Sequence, residues 1–327
     1  MFTAVTDASH VAEARRLVGD LARRIGLPAA RIDQVAIVVT ELATNILKHG
    51  GGGHIHAGRC DDAEGIGLEV LALDRGDGMV DPDRCMEDGY STAGSPGNGL
   101  GAIERLADTV RTYTRPGQGC AIMARFVERP ARGARTLLGA TVAPYPGEVV
   151  SGDNWSWSDT VHGRTIMLVD GSGHGVEAAR AAETAMRTFA DNADAACEVI
   201  VEEIHRALAP TRGGALAVAR IDTAARVVRF VGVGNISAML VTAGRSRHMV
   251  SHNGTAGYVA PRIREFTYDY TMDPLVILHS DGLTSRWDFA AYPGLAAQHP
   301  SLVAGVLLRD HRRGRDDASV VAMRAAV

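Results

Sequence analysis

The sequence predicts an α+β protein of two domains, and three observations carry that expectation. The first 128 residues open on two helical periodicities and continue as strand-like apolar runs. A breaker-rich stretch, 128–135, comes next. The remainder is a succession of apolar runs punctuated by Asp-Gly turns. At 327 residues the chain is long enough to bury two cores, and the boundary is placed to give domains 1–131 and 132–327.

The elements follow in order. Residues 9–25 carry Val11, Ala14, Leu17, Val18, Leu21 and Ile25 at helical spacing, ended by Gly26-Leu-Pro28. A second helix is expected over 29–49, deeply packed, and stopped by the glycines at 50–53. Strand-like runs follow at 55–60 and 67–73, then a polar loop, a helix through 107, and a hairpin of 110–114 with 120–127 around Pro116-Gly117. Beyond the linker, strands are expected at 136–143, 165–170, 214–222, 227–233, 237–242, 275–278 and 319–323. Helices are expected at 177–190 and 193–208. Trp155 and Trp157 read as packing residues rather than a binding platform.

Composition excludes several classes. The net charge is −4 and the arginines are dispersed, so there is no nucleic-acid footprint. The four cysteines (Cys60, Cys85, Cys120 and Cys197) form neither CxxC nor zinc spacing and read as reduced thiols. No apolar run reaches membrane-spanning length and no signal peptide is seen, so the expectation is a cytoplasmic protein with neither nucleic acid nor membrane as partner.

Four aspartates in the second half sit beside strand-like runs: Asp153 in Ser-Gly-Asp, Asp170 in Asp-Gly-Ser-Gly-His-Gly, Asp281 in Ser-Asp-Gly, and Asp316 in Asp-Asp-Ala-Ser-Val. Asp170 either caps the following helix or projects into a cleft. Carboxylates from separate strand ends repel unless a cation gathers them, and hard divalent ions favour all-oxygen sites. In the first half, Glu41 and Asn45 point from one helical face. They are either a surface pair or a nucleotide site, with a carboxylate for proton transfer and an amide oxygen for Mg²⁺. Asp74-Arg-Gly-Asp77-Gly78 places a carboxylate at a strand end, where it could accept a hydrogen bond from an adenine amine. Gly97-Asn-Gly99-Leu-Gly101 before a helix offers backbone amides to phosphate. A Rossmann fingerprint is excluded because no βαβ unit precedes this turn, and a P-loop because Gly-Lys-Ser/Thr is missing.

In the order Glu41/Asn45, Asp74-x-Gly-x-Gly78, Gly97-x-Gly99-x-Gly101, residues 1–128 resemble the GHKL ATPase family, within it the anti-sigma-factor and stressosome switch serine kinases. The ordered aspartate motifs make residues 136–327 resemble the metal-dependent (PPM-type) serine/threonine phosphatases, in the bacterial branch typified by the sporulation stage-two E phosphatase. The first resemblance implies an ATP-Mg²⁺ site. There Asn45 binds the metal, Asp74 reads adenine, Gly78 keeps the base pocket open, Gly97, Gly99 and Gly101 form the phosphate lid, and Glu41 is the base. The second implies a two-sheet β-sandwich flanked by helices, holding two Mn²⁺ or Mg²⁺. Its ligands are Asp153, Asp170, the Gly171 carbonyl, Asp281 and Asp316, the family pattern favouring Asp316 over Asp317. His174 is a candidate proton donor to the leaving oxygen, or a helix-start residue bonded to a carboxylate. The phosphate-gripping arginine of larger eukaryotic members has no match.

Together the resemblances imply a bifunctional regulator. Its first domain phosphorylates a STAS-type anti-sigma-factor antagonist or stressosome protein and its second removes phosphate, with a sigma factor as a further candidate partner. The alternative is an ATP-binding module that sequesters a sigma factor or senses nucleotide and regulates the phosphatase without kinase activity.

Overall fold

Strand β1 (Phe2–Val5) leads into helix α1 (Ala8–Ile25). The helix starts where Asp7 accepts the backbone N–H of Ser9 at 2.8 Å and stops at Gly26, whose φ of +94° supplies the left-handed closing turn. Helix α2 (Ala29–Gly50) buries Val35, Val39, Leu42 and Ile46 along one face. The computed structural model describes residues 1–82, 99–131, 136–260 and 262–325. The chain divides into two units, Met1–Gly133 and Ala134–Val327.

In the first unit, strands β2 (Gly53–Asp62) and β3 (Gly65–Asp74), helix α3 (Gly99–Leu106), and strands β4 (Thr109–Thr114) and β5 (Cys120–Arg129) follow in order. The sheet order is β1-β2-β3-β5-β4, antiparallel at every pairing. Ala14 and Val18 of α1 and Leu42 and Ile46 of α2 pack against Ile55, Leu68 and Phe126 of the sheet in one apolar core. The expected hairpin is present, with Thr114 opposite Cys120. Strand β1, absent from the sequence reading, pairs with β2 at the sheet edge. Arg125 is buried in β5, where Glu69 accepts its Nε–H at 2.8 Å and Asp62 its Nη1–H at 3.0 Å. A buried guanidinium is tolerable only when paired in this way.

The second unit is a sandwich of two five-stranded sheets. Strands β6 (Thr136–Ala143), β7 (Asp153–Thr160), β8 (Gly163–Gly171), β9 (Gly214–Asp222), β10 (Val227–Val233), β11 (Ser237–Thr242), β12 (Arg245–Met249), β13 (Phe266–Asp269), β14 (Leu275–His279) and β15 (Ala318–Ala325) order as β13-β10-β9-β8-β7 and β12-β11-β14-β15-β6. Ile166 and Leu168 of β8 meet Val276, Leu278, Val321 and Met323 of the other sheet in the inner core. The intervening Met167 and Val169 face outward onto helices α4 (Val176–Asp191) and α5 (Cys197–Ala207). Strand β8 is therefore buried on both faces, which is why its sequence is an unbroken apolar run. Trp155 and Trp157 of β7 pack against the inner core, as packing residues should.

Helix α6 (Pro300–His311) was not expected from the sequence. Its residues from Pro300 to Leu308 are all buried, so it has no polar face and no helical period to read. It lies directly on β6. The Ser301 hydroxyl donates to the Leu138 carbonyl at 3.2 Å and the Thr141 hydroxyl to the Ala304 carbonyl at 3.1 Å. A Cβ at Gly139 would collide with the backbone of Pro300 and Ser301. Gly139→Ala is therefore expected to destabilise this unit by about 1–3 kcal/mol, read as a lowered thermal midpoint.

Candidate active sites

Period-two alternation decides where Asp170 points. It shares a face with Ile166 and Leu168, so at the end of β8 its side chain enters the gap between the sheets. It does not cap α4: the cap position is Gly175, with no side-chain hydrogen bond. Asp153 stands directly opposite Asp170 across the β7–β8 ladder. Like charges so placed are destabilising by themselves. From the facing sheet come Asp281, just after β14, and Asp316, just before β15, two strands that pair with His279 opposite Val320. The Ser319 hydroxyl donates to Asp153 Oδ2 at 2.7 Å and so ties the two sheets together at this end. Asp170, Asp281 and Asp316 line one cleft of about 470 Å³. Asn235 donates to Asp281 across it at 2.6 Å.

The electrostatics follow from this convergence. Burial raises the Asp170 carboxyl to about 9, and the charges of Asp153, Asp281, Asp316 and Asp317 add to the rise. Burial likewise lifts Asp153 to about 7, against the lowering effect of hydrogen bonds from Ser280 and Ser319. Asp281 is raised by burial and then by Asp316. Among the described residues no three acidic, His or Cys side chains are set closely enough to clasp one ion as they stand. The donor set nonetheless suits a hard cation: Asp153 Oδ1 is buried without a hydrogen-bond partner among the described residues, and the cross-strand acids need positive charge between them.

The neighbouring Asp316 and Asp317 are chemically identical but differently used. Asp317 Oδ1 accepts the N–H of Tyr145 at 2.7 Å and its Oδ2 accepts that of Gly152 at 3.0 Å. Both oxygens thus fasten the loop that delivers Asp153. Asp317→Ala would orphan two backbone donors, each costing about 1–3 kcal/mol. It is expected to lower the thermal midpoint, whereas Asp316→Ala is expected to weaken Mn²⁺ binding in calorimetry with little effect on folding.

Gly171 pairs with Gly214 at the strand end, and a Cβ there would strike the Ala178 carbonyl of α4. His174 lies in an adjoining cavity rather than among the residues lining the aspartate cleft. Its Nδ1 is 3.1 Å from Glu148 Oε1, and its ring stacks on Tyr145 at 4.3 Å.

In the first unit, Glu41 projects from α2 toward the start of α3, and Asn45 lies one turn further along the same helix. Glu41 Oε2 lies 2.8 Å from the place a Cβ on Gly99 would take. The Asn45 amide nitrogen is buried without a partner among the described residues. Asp74 ends β3, and its Oδ1 accepts the N–H groups of Gly76 at 2.9 Å and Cys120 at 3.2 Å. Gly78 has φ +68°, and a Cβ there would strike the Arg115 carbonyl. Asp77 is exposed and its carbonyl accepts the Gly117 N–H at 2.7 Å, as in a turn. Gly101 is buried within α3. Gly97 lies outside the described residues. Among the described residues no helix is long and apolar enough to cross a membrane.

A two-sheet sandwich with an acidic cleft at its strand ends, preceded by this α/β layer, places the chain among enzymes of protein phosphate chemistry. It joins a kinase-like ATPase domain to a metal-dependent serine/threonine phosphatase domain. Comparison with known proteins makes this specific. Residues 4–125 match the histidine kinase-like ATPase domain, and residues 161–326 match Stage II sporulation protein E (SpoIIE); the chain belongs to the SpoIIE family and carries this ATPase domain fused ahead of it. Serine/threonine-protein kinase RsbT of Bacillus subtilis (strain 168) is 33% identical over 114 residues, 35% of this chain and 86% of that protein. A structure solved in work on "the bacterial stressosome: a modular system that has been adapted to control secondary messenger signaling" is 27% identical, with a TM-score of 0.53, covering 58% of this chain and 99% of that one. RsbX in complex with magnesium, at 18% identity and a TM-score of 0.51, shares the fold over 58% of this chain and 96% of its own. Both domains are of kinds that use nucleotide or divalent metal, and joined they make a partner-switching regulator.

Proposed function

We propose that the chain adds and removes phosphate on serine or threonine of a STAS-type anti-sigma-factor antagonist or stressosome protein. The carrying observation is the meeting of Asp153, Asp170, Asp281 and Asp316 from two sheets at one end of the sandwich. These four, with the Gly171 carbonyl, would hold two Mn²⁺ or Mg²⁺. When bound, the cations acidify water and neutralise phosphoryl charge. The engagement of both Asp317 oxygens by backbone supports Asp316 as the ligand of the pair. His174 acts with Glu148 at the cavity next door, and its bond to that carboxylate favours a role in shaping the loop over proton donation.

In the first domain, Glu41 orients the substrate hydroxyl and takes its proton. Asn45 would hold Mg²⁺ by its amide oxygen, Asp74 would receive the adenine amine beside Gly78, and Gly99 and Gly101 would serve the phosphate lid, whose third glycine, Gly97, lies outside the described residues. The closeness of Glu41 to the start of α3 supports this, because a phosphate bound by that helix start would lie beside the carboxylate. RsbT is a kinase by name, which favours transfer over nucleotide sensing alone. The domains are taken as 1–131 and 132–327, working in the cytoplasm. The deciding experiment incubates the chain with a STAS-domain protein and labelled ATP, then with Mn²⁺ and the phosphorylated product. Label should appear on serine or threonine and then be released as inorganic phosphate. No transfer of label from ATP, with hydrolysis of a partner phosphorylated by other means, would leave the nucleotide-sensing alternative.

A further inference from the structure

Arg212 occupies the turn between α5 and β9, exposed to solvent. No hydrogen bond or ion pair joins it to another described residue. Its backbone is nonetheless fixed on both sides. The Thr211 hydroxyl donates to the Leu208 carbonyl at 2.7 Å, the Gly213 N–H to the Thr211 hydroxyl at 3.0 Å, and the Tyr258 hydroxyl to the Thr211 carbonyl at 2.9 Å. The Ser172 N–H donates to the Gly213 carbonyl at 2.9 Å, which binds this turn to the loop leaving Asp170.

The guanidinium lies beside Gly173, the residue that lines both cavities. Arg212 lines the cavity of about 500 Å³ that also holds His174, Glu148 and Glu177. Gly173 borders both this space and the aspartate cleft. Arg212 Nη1 is 3.3 Å from the place a Cβ on Gly173 would take, and that glycine has φ +90°. Gly173 itself therefore puts no side chain against the guanidinium. The two carboxylates in the same cavity already have partners, Glu148 with His174 at 3.1 Å and Glu177 with Arg180 at 3.1 Å. Among the described residues the Arg212 guanidinium thus has no ion-pair partner, and it stands beside Gly173, which also lines the acidic cleft. A guanidinium is permanently protonated, and its planar fork matches two phosphoryl oxygens.

We propose that Arg212 anchors the phosphoryl group of the incoming phosphoserine or phosphothreonine, gripping its non-bridging oxygens from the side opposite the aspartates. This rests on the phosphatase reading of the same cleft. The test compares wild type, Arg212→Ala, Arg212→Lys and, as a charge control on α5 outside the cavity lining, Arg206→Ala. Measured are kcat and KM on a phosphoserine peptide with Mn²⁺, inhibition by inorganic phosphate, Mn²⁺ affinity, and calorimetric binding of the matching serine-phosphonate peptide, which needs no turnover. Arg212→Ala is expected to raise KM, the phosphate inhibition constant and the phosphonate Kd by about tenfold to a hundredfold, with Mn²⁺ affinity unchanged. Arg212→Lys should recover part of this, keeping charge without the fork, and Arg206→Ala should behave as wild type. Unchanged KM and phosphonate Kd in Arg212→Ala, or an equal loss in Arg206→Ala, would overturn the assignment. If wild type hydrolyses no phosphopeptide, the phosphatase reading fails, and phosphonate binding alone decides the role of Arg212.

Discussion

Asp170→Asn is expected to lower Mn²⁺-dependent phosphoserine hydrolysis by well over a hundredfold. Outer partners of metal ligands alone are worth about ten- to a hundredfold, and Asp170 is the acid on which every other carboxylate of the cleft bears. The same substitution should change stability in the opposite sense. In protein stripped of divalent ions by a chelator, Asp170 titrates near 9 and Asp153 near 7, each from an ordinary 3.8. Between those values the folded chain retains protons that the unfolded chain has released. Stability from these two groups is therefore full below about pH 4 and is lost as pH rises through their folded values. The thermal midpoint of the chelated protein should fall from pH 5 to pH 9, and Mn²⁺ should restore it most at the alkaline end. Asp170→Asn should flatten the alkaline part of that fall. A midpoint that rises with pH, or hydrolysis unchanged by the substitution, would contradict the role given to this residue.

Glu41→Gln is expected to slow phosphate transfer to a STAS-domain substrate by about 10²–10⁴, the range for a positioned general base. ATP binding should persist, because Asp74 and the α3 start are untouched. Asn45→Ala should instead weaken Mg²⁺-ATP binding. The pair is separable by nucleotide titration followed by mass spectrometry of the phosphorylated partner. Transfer at the wild-type rate in Glu41→Gln would remove the carboxylate from the mechanism and return the domain to nucleotide sensing.

The two-domain α+β architecture was legible because its signals are local. Helices α1 and α2 have one apolar face each, and β8, β9, β10 and β11 are apolar runs bounded by Gly or Asp turns. Helix α6 was not legible because it is apolar all round with Gly305 in its middle. Strand β12 was missed because four of its five residues are exposed and polar at a sheet edge, which is how edges are kept from pairing with other chains. Strand β7 carries a readable alternation at Trp155 and Trp157, which conveys packing but does not by itself delimit a strand. The aspartates at strand ends were visible through their Asp-Gly turns. That Asp153 faces Asp170 across a ladder, and that Asp317 is consumed by two backbone N–H groups, depends on register and could not be read from a single strand. Arg212 lies in no motif; only its cavity and its unpaired charge distinguish it from the other arginines.

The most direct test is anomalous diffraction from crystals of the whole chain grown with Mn²⁺. Two peaks are expected within coordination distance of Asp153, Asp170, Asp281 and Asp316, with Asp317 still bound to the Tyr145 and Gly152 amides. Manganese elsewhere, or a cleft that takes up none while those aspartates stay apart, would contradict the phosphatase site.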